Sequence, residues 1–339
     1  MQVSVIQYGM GHMGQRLIKL MLRKGFNIVA AIDSKTDYLG KDIGEIASLD
    51  QKVGVKVTND IADVLKNVKA DIVSHATVSY LAPLYDQIKP FIEAGLNVVS
   101  IAEELSYPWI KSPGLSEEID RNAKAHNVSV IGTGLNPGLE MEVVPLIYTS
   151  ACWSVDKIVA RRVVDYSRFS PTRGMLRYGV TPEQYRKGVL NSSIPMHVGL
   201  YECLTMVSDA LGWKLDNISE TWESIVSRSV RKAPWGTIEP GTTCGFKQTA
   251  TGTIKEEVKI LFEQYGIVYP TLEDDGVEPG YTIWIDGDPP MTIKSEGTTR
   301  AGDLCTSARQ VNILAAVIEA KPGLISVKDL PVTPSLPDK

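Results

Sequence analysis

Three groups of residues have types and spacings suited to chemistry. The first, Gly9-Met10-Gly11-His12-Met13-Gly14, is a G-x-G-x-x-G turn, and Asp33 follows 19 residues after Gly14. Between a strand and a helix, Gly9 permits the tight turn, Gly11 admits a pyrophosphate to the backbone, and Gly14 lets helix and strand pack closely. The helix N-terminus adds free N–H donors and partial positive charge. His12 then lies near phosphate rather than at a reacting centre. Asp33 is placed to accept from a ribose 2′-OH, which favours NAD, while Ser34 and Lys35 suit a 2′-phosphate. The residues leave NAD and NADP both open and point to dual use. The second group is Glu103-Glu104, where a carboxylate beside a nicotinamide accepts a proton from a substrate ammonium and later polarises water. The plainer alternative is an acidic turn at a helix N-terminus. The third group is Arg161, Arg162, Arg168, Arg173 and Arg177, of which one or two are expected to grip a substrate carboxylate with the planar guanidinium fork. Thr298-Thr299-Arg300 is a second candidate group of that kind.

The elements that must hold these residues follow from periodicity. Val3–Tyr8, Asn27–Ile32, Ala70–Ala76, Leu96–Ala102 and Val128–Gly132 read as strands. Helical runs lie between them, one carrying Leu17, Leu20, Met21 and Phe26 and another spanning Leu84–Ala94 before Gly95. Such alternation predicts an α/β fold with a doubly wound parallel sheet. Its carboxyl edge, the ligand edge of such sheets, carries Ala76, Thr77 and Val78 after one strand and the glutamate pair after the next. After about residue 136 the pattern changes. Lys157–Asp165, Ser224–Val230, Thr242–Thr253 and Tyr281–Ile285 read as strands, and a helix is expected to start at His197 and run through Leu200 and Leu204 toward Gly212. This predicts a second α+β domain with an open, mostly antiparallel sheet. Thr306–Ala320 is a further helix, and the Pro331–Lys339 tail is expected to be extended. The expected boundaries are 1–136 for the dinucleotide-binding domain, completed by 303–339, and 137–302 for a substrate and dimerisation domain. The active site is expected between the two.

Composition narrows the class. The chain has 339 residues, 43% hydrophobic and 22% charged, which suits a globular protein and excludes disordered and coiled-coil classes. A net charge of −5 offers no bulk basic surface for nucleic acid. Cys152, Cys203, Cys244 and Cys305 are too dispersed for a zinc cage or a disulfide scaffold, so no metal is expected. No apolar run is long enough for a membrane span, and the N-terminus lacks the basic region of a signal peptide. A cytoplasmic enzyme with a small-molecule substrate is the expectation.

Five blocks carry a resemblance to a known family: Tyr8–Gly14; Val99–Trp109; Gly132-Thr133-Gly134-Leu135-Asn136-Pro137-Gly138; His197–Glu202 with Ala210–Trp213; and Gly302-Asp303 through Val311-Asn312 to Pro322-Gly323-Leu324. Together they resemble the 2,4-diaminopentanoate dehydrogenases and native amine dehydrogenases, distant relatives of dihydrodipicolinate reductase. The resemblance implies NAD(P)-dependent, reversible oxidative deamination of 2,4-diaminopentanoate to 2-amino-4-oxopentanoate and ammonia, by a homodimer. It places the family's active-site glutamate on Glu104. It also implies a polar and aromatic substrate wall after the Asn136 turn and in the second domain, where His197 is a candidate; with Arg168, Arg173 and Thr299 from the carboxylate-binding groups these make up the expected substrate contacts, and Ala102, Asn136 and Asn312 are further expected cofactor contacts. His197 by itself is equally a structural histidine. The alternatives are a general amine dehydrogenase on simple ketones and amines, a diaminopimelate dehydrogenase, a dihydrodipicolinate reductase, which the lack of a His-His-Lys cluster disfavours, and a non-catalytic dinucleotide sensor.

Overall fold

In the computed structural model, which describes residues 2–168, 178–194, 196–297 and 301–339, the chain divides into two units: Met1–Val143 with Asp303–Lys339, and Val144–Gly302. The first unit opens with β1 (Ser4–Tyr8), α1 (His12–Arg23), β2 (Asn27–Ile32), β3 (Val57–Thr58), β4 (Ile72–His75), α2 (Leu81–Glu93), β5 (Asn97–Ser100), α3 (Pro113–Ala125) and β6 (Ser129–Gly132). Val5, Ile6, Ile72, Val73, Val98, Val99, Val130 and Ile131 are all wholly buried. Consecutive buried residues mean that both faces of the sheet are covered, as parallel sheets require. Its seven strands run in the order Gly323–Ile325, β6, β5, β4, β1, β2, β3, and every neighbouring pair is parallel. The order reverses between β1 and β4, so the crevice beyond their carboxyl ends is the ligand position of a Rossmann fold.

The helices lock to this sheet by apolar stripes. α1 buries Gly14, Leu17, Ile18 and Met21 and stops before Gly25, whose φ of +78° ends the helix. α2 buries Leu81, Leu84, Tyr85, Ile88, Phe91 and Ile92, each large side chain contributing about 1.5–3 kcal/mol. It begins three residues before the expected Leu84, because the Glu104 carboxylate accepts the Leu81 N–H at 2.8 Å and so satisfies one of the orphan donors of a helix start. α3 was not evident in the sequence: its buried stripe is Ser116, Ile119 and Ala123, with a single large apolar side chain. Residues 137–143, expected with the second domain, belong to the first unit. The turn closes back on itself there, Leu139 and Glu140 both donating to the Leu135 carbonyl.

The second unit is built on β7 (Ser154–Asp165), α4 (Leu200–Ala210), β8 (Asn217–Val226), β9 (Thr243–Ile254), β10 (Glu257–Ile267), β11 (Gly280–Asp288) and β12 (Met291–Ser295). Its six strands are ordered β12, β11, β7, β10, β9, β8, with β7–β10 the one parallel pair. β10 escaped the sequence because charge interrupts its apolar pattern. Glu263 lies in its middle, paired with Arg161 at 2.7 Å and Lys247 at 2.8 Å. β8 starts at Asn217 rather than Ser224 and ends before Ser227; as an edge strand it shows little apolar alternation. Among the described residues no helix is long and apolar enough to cross a membrane.

Candidate active site

The glycine turn joins β1 to α1 at the switch point. Gly9 has φ +96°, and a Cβ there would lie 2.3 Å from the Ala76 carbonyl oxygen. A Cβ on Gly14 would lie 1.9 Å from the Gly9 carbonyl oxygen. Gly11 differs: nothing lies within 4 Å of a Cβ at that position. The open space is thus at the residue where a phosphate would approach. α1 also starts without a capping side chain, which leaves its first N–H groups for an anion. The residues present fit a dinucleotide pyrophosphate.

Both oxygens of Asp33 are engaged by backbone: Met10 N–H donates to one at 2.6 Å and Lys35 N–H to the other at 2.8 Å. The carboxylate is thereby fixed beside the turn at the end of β2. Ser34 is exposed, and the Lys35 ammonium lies 4.4 Å from the centre of the Tyr38 ring. Met13 is half-buried, whereas Met10 is wholly buried. Met10 therefore offers a ligand no surface and acts through its N–H on Asp33, a correction to its expected cofactor contact. His12 is exposed, but its Nε2 sits 2.8 Å from Asp303, with Arg16 Nε at 3.1 Å. The ring is held by the C-terminal helix (Gly302–Ile318) and is not directed by the turn alone.

Beyond β4, Thr77 is exposed and Ala76 and Val78 are half-buried. The Thr77 hydroxyl hydrogen-bonds Gln87 and lies 2.8 Å from His75 Nε2. His75 is wholly buried, and burial pushes its pKa down to about 4, so the ring is neutral. Its Nε2 faces the Gln87 amide oxygen at 2.8 Å and therefore carries the proton, while Nδ1 accepts from the Ser100 hydroxyl at 2.9 Å. Ser100 Oγ in turn accepts the Ala102 N–H at 3.0 Å. Ala102 is fully shielded within this network, so the cofactor contact expected of it is absent.

The glutamate pair opens a short 3-10 turn, Glu103–Ser106, after β5. Glu104 has two committed oxygens: one accepts the Leu81 N–H at the start of α2, and the other meets the Lys111 ammonium at 2.8 Å. Its side chain is 14% exposed, against 44% for Lys111. Glu103 is different. Burial raises its pKa and the neighbouring Glu104 charge adds to the rise, against the lowering effect of a hydrogen bond with Ser79. Glu103 thus sits in a desolvating environment, while the neighbouring Glu104 is held by an ion pair and a backbone N–H.

Asn136 is half-buried in the turn after β6, next to Leu135, whose N–H donates to Thr306 Oγ1 at 3.3 Å. Asn312 is engaged by the C-terminal tail. Its Oδ1 accepts the Leu336 N–H at 3.0 Å, and it lies nine residues, roughly 13 Å, along the helix from the Asp303 end. A network missed in the sequence supports the turn from below: Gln7 donates to the Gly9 carbonyl at 2.9 Å and accepts from Ser74 at 2.7 Å, and Gln310 donates to Ser74 at 2.9 Å. All three are wholly buried. The available signal was two polar residues, Gln7 and Ser74, inside otherwise apolar strands, where they pair in register.

In the second unit, Tyr281, Arg162, Gln264, Gln248 and Trp222 stand in one row across β11, β7, β10, β9 and β8. Arg162, Gln264 and Gln248 are buried. The Gln248 amide donates to the His197 carbonyl at 3.2 Å. His197 does not open a helix: Gly199, at φ +115°, precedes α4, and the histidine lies before it. Burial and then the Arg162 charge push its ring pKa down to about 3, and its Nδ1 is buried without a hydrogen-bond partner. Arg161, one residue from Arg162, alternates to the other face and pairs with Glu263. Burial tends to raise the Glu263 pKa, but Lys247 and Arg161 outweigh it and hold the carboxyl below its usual range. The Arg168 side chain, Arg173 and Thr299 lie outside the described residues.

Comparison with known proteins agrees across both units. Residues 139–339 match the 2,4-diaminopentanoate dehydrogenase C-terminal domain family, and residues 2–100 match the dihydrodipicolinate reductase N-terminus. The chain is 34% identical to a 2,4-diaminopentanoate dehydrogenase of Acetoanaerobium sticklandii, covering 98% of this chain and 94% of that protein. It is 25% identical to an amine dehydrogenase of Streptomyces virginiae, covering 98% of each. The structure of an amine dehydrogenase from Mycobacterium smegmatis superposes with a TM-score of 0.84 at 26% identity, over 98% of this chain and 97% of that one.

Proposed function

The chain belongs to the 2,4-diaminopentanoate dehydrogenase family, and from that premise we propose that it oxidises the 4-amino carbon of 2,4-diaminopentanoate with NAD or NADP. An amine dehydrogenase that takes its hydride on a nicotinamide dinucleotide is the coarser statement that the family supports. The reaction converts the substrate ammonium, NAD(P)+ and water into ketone, ammonium, NAD(P)H and one proton. The observation that carries the reading is the Glu103–Glu104 pair at the same sheet edge as the glycine turn, with Glu104 held by the Leu81 N–H and Lys111.

The glycine turn and the start of α1 bind the pyrophosphate. Asp33 accepts from a free ribose 2′-OH, and Lys35 balances a 2′-phosphate, which supports use of both cofactors. Bound there, the nicotinamide supplies the hydride acceptor. Glu104 is the base. Its carboxylate is oriented by the Leu81 N–H on one oxygen and the Lys111 ammonium on the other. Glu104 takes the ammonium proton, because hydride leaves the carbon only when its nitrogen is a free amine. It then steers water onto the substrate iminium, and hydrolysis releases ketone and ammonia. In reverse it is the acid that expels water from the carbinolamine. Asn136 is the polar contact of the first unit. For the substrate carboxylate we assign Arg162, whose charge acts on the buried His197, alongside Arg168, Arg173 and Thr299 of the sequence-based wall.

A second reading, a general amine dehydrogenase on simple amines, draws on the Streptomyces and Mycobacterium relatives. A substrate screen with NAD+ and NADP+ separates the two. The proposed function requires 2,4-diaminopentanoate to be oxidised far better than 2-aminopentane; equal rates would leave the general reading, and no NAD(P)H from any amine would refute both.

A further inference from the structure

We propose that Lys111 is a positioning residue for Glu104, pairing with its carboxylate and aiming it for proton abstraction. The inference rests on Glu104 being the base. Its ground is the contrast between this ion pair and the chain's helical ones. Lys124–Asp120 and Lys187–Glu183 are i,i+4 pairs whose acids are 30% and 65% exposed, the kind that contributes little. Glu104 is 14% exposed, and its cation comes from seven residues further along the chain.

Among the described residues, Lys111 is the cation that pairs with Glu104. From its own turn, Glu104 faces Glu103, a like charge whenever both ionise. Tyr107, on the same segment, packs against Trp109 with ring centroids 4.9 Å apart. From α2 it receives the Leu81 N–H, and no acidic residue lies in that helix's first turn. β6, packed against the turn, is Ser129-Val130-Ile131-Gly132 and carries no charge. The backbone N–H fixes one oxygen, and the Lys111 ammonium fixes the other. Without Lys111, that second oxygen would lose its cation, leaving the carboxylate held by the Leu81 N–H and next to the like charge of Glu103.

The test uses the full-length enzyme with Lys111→Met and Lys111→Arg. The first readout is the titration of the Glu104 carboxyl by 13C NMR, its signal assigned with Glu104→Gln. Lys111→Met should move the midpoint upward by about one pH unit or more, the usual reach of a nearby opposite charge, and Lys111→Arg should restore it. The second is the pH profile of kcat/KM for 2,4-diaminopentanoate. Its acid limb should move by the same amount, about tenfold in rate on that limb, with NADH binding unchanged. A Lys111→Met enzyme with an unmoved midpoint and an unmoved limb would overturn the proposal, as would an arginine variant no better than methionine. A moved midpoint with full turnover in Glu104→Gln would instead refute Glu104 as the base and leave the Lys111 pairing standing.

Discussion

The glycine turn of the first unit and the polar row of the second are built by opposite designs. The turn packs its determinants into six consecutive residues, Gly9–Gly14, with one acid 19 residues beyond. The row draws Tyr281, Arg162, Gln264, Gln248 and Trp222 from five strands, brought together only by sheet register. A local site is dictated by backbone constraints, so its residue types are narrow. A register-built site depends on every strand being paired correctly, so its residue types look ordinary in sequence.

The sharpest way to break this comparison is at the glycines. Gly11→Val projects into open space, so the variant should keep its thermal stability while NADH binding, read by fluorescence, is abolished. Gly14→Val should lose stability as well, because the new Cβ meets the Gly9 carbonyl. Tight NADH binding by Gly11→Val would remove the turn from the site.

Arg162→Lys probes the register-built region. It keeps the charge but not the fork, and KM for 2,4-diaminopentanoate should rise about tenfold to a hundredfold, the worth of a charge-assisted hydrogen bond. KM for 2-aminopentane should not change. A parallel rise for both amines would mean that Arg162 packs the sheet and grips no carboxylate.

Asp33→Ala should weaken NAD by about tenfold and NADP less, since only the free 2′-OH donates to that carboxylate. Equal losses in fluorescence titrations would take Asp33 out of the ribose contact.

A further expectation ties both regions to pH. His75 and His197 have pKa values lowered from 6.5 to about 4 and about 3. The unfolded chain takes up these protons first, so their contribution to stability is complete above about 6.5 and is lost as pH falls toward 4 and 3. Each histidine should cost about 1.4 kcal/mol per pH unit in that window. Urea midpoints at two pH values should show the slope, and His75→Gln should flatten it; an unchanged slope would mean that His75 is not buried as a neutral ring.

The same contrast explains what was legible in the sequence. The parallel sheet and glycine turn were readable because β1, β2, β4, β5 and β6 are apolar runs separated by helical periods. The start of α2 was not, because its cap comes from Glu104, 23 residues away. β10 was hidden by Glu263, whose partners Arg161 and Lys247 lie on other strands. Lys111 was missed because nothing local marks a lysine that folds back onto a turn. The tie between Asn312 and the Leu336 N–H was not legible, because it joins residues 24 apart.

The central claim, that Glu104 is the proton acceptor of an amine dehydrogenase, is tested most directly by the steady-state turnover of Glu104→Gln beside Glu103→Gln. Glutamine keeps size and hydrogen bonding but cannot take the proton. For Glu104→Gln the expected result is a fall in kcat of about 10²–10⁴ with NADH affinity unchanged, and for Glu103→Gln a much smaller fall. Near wild-type turnover in Glu104→Gln, with the acid limb of its pH profile intact, would contradict the account.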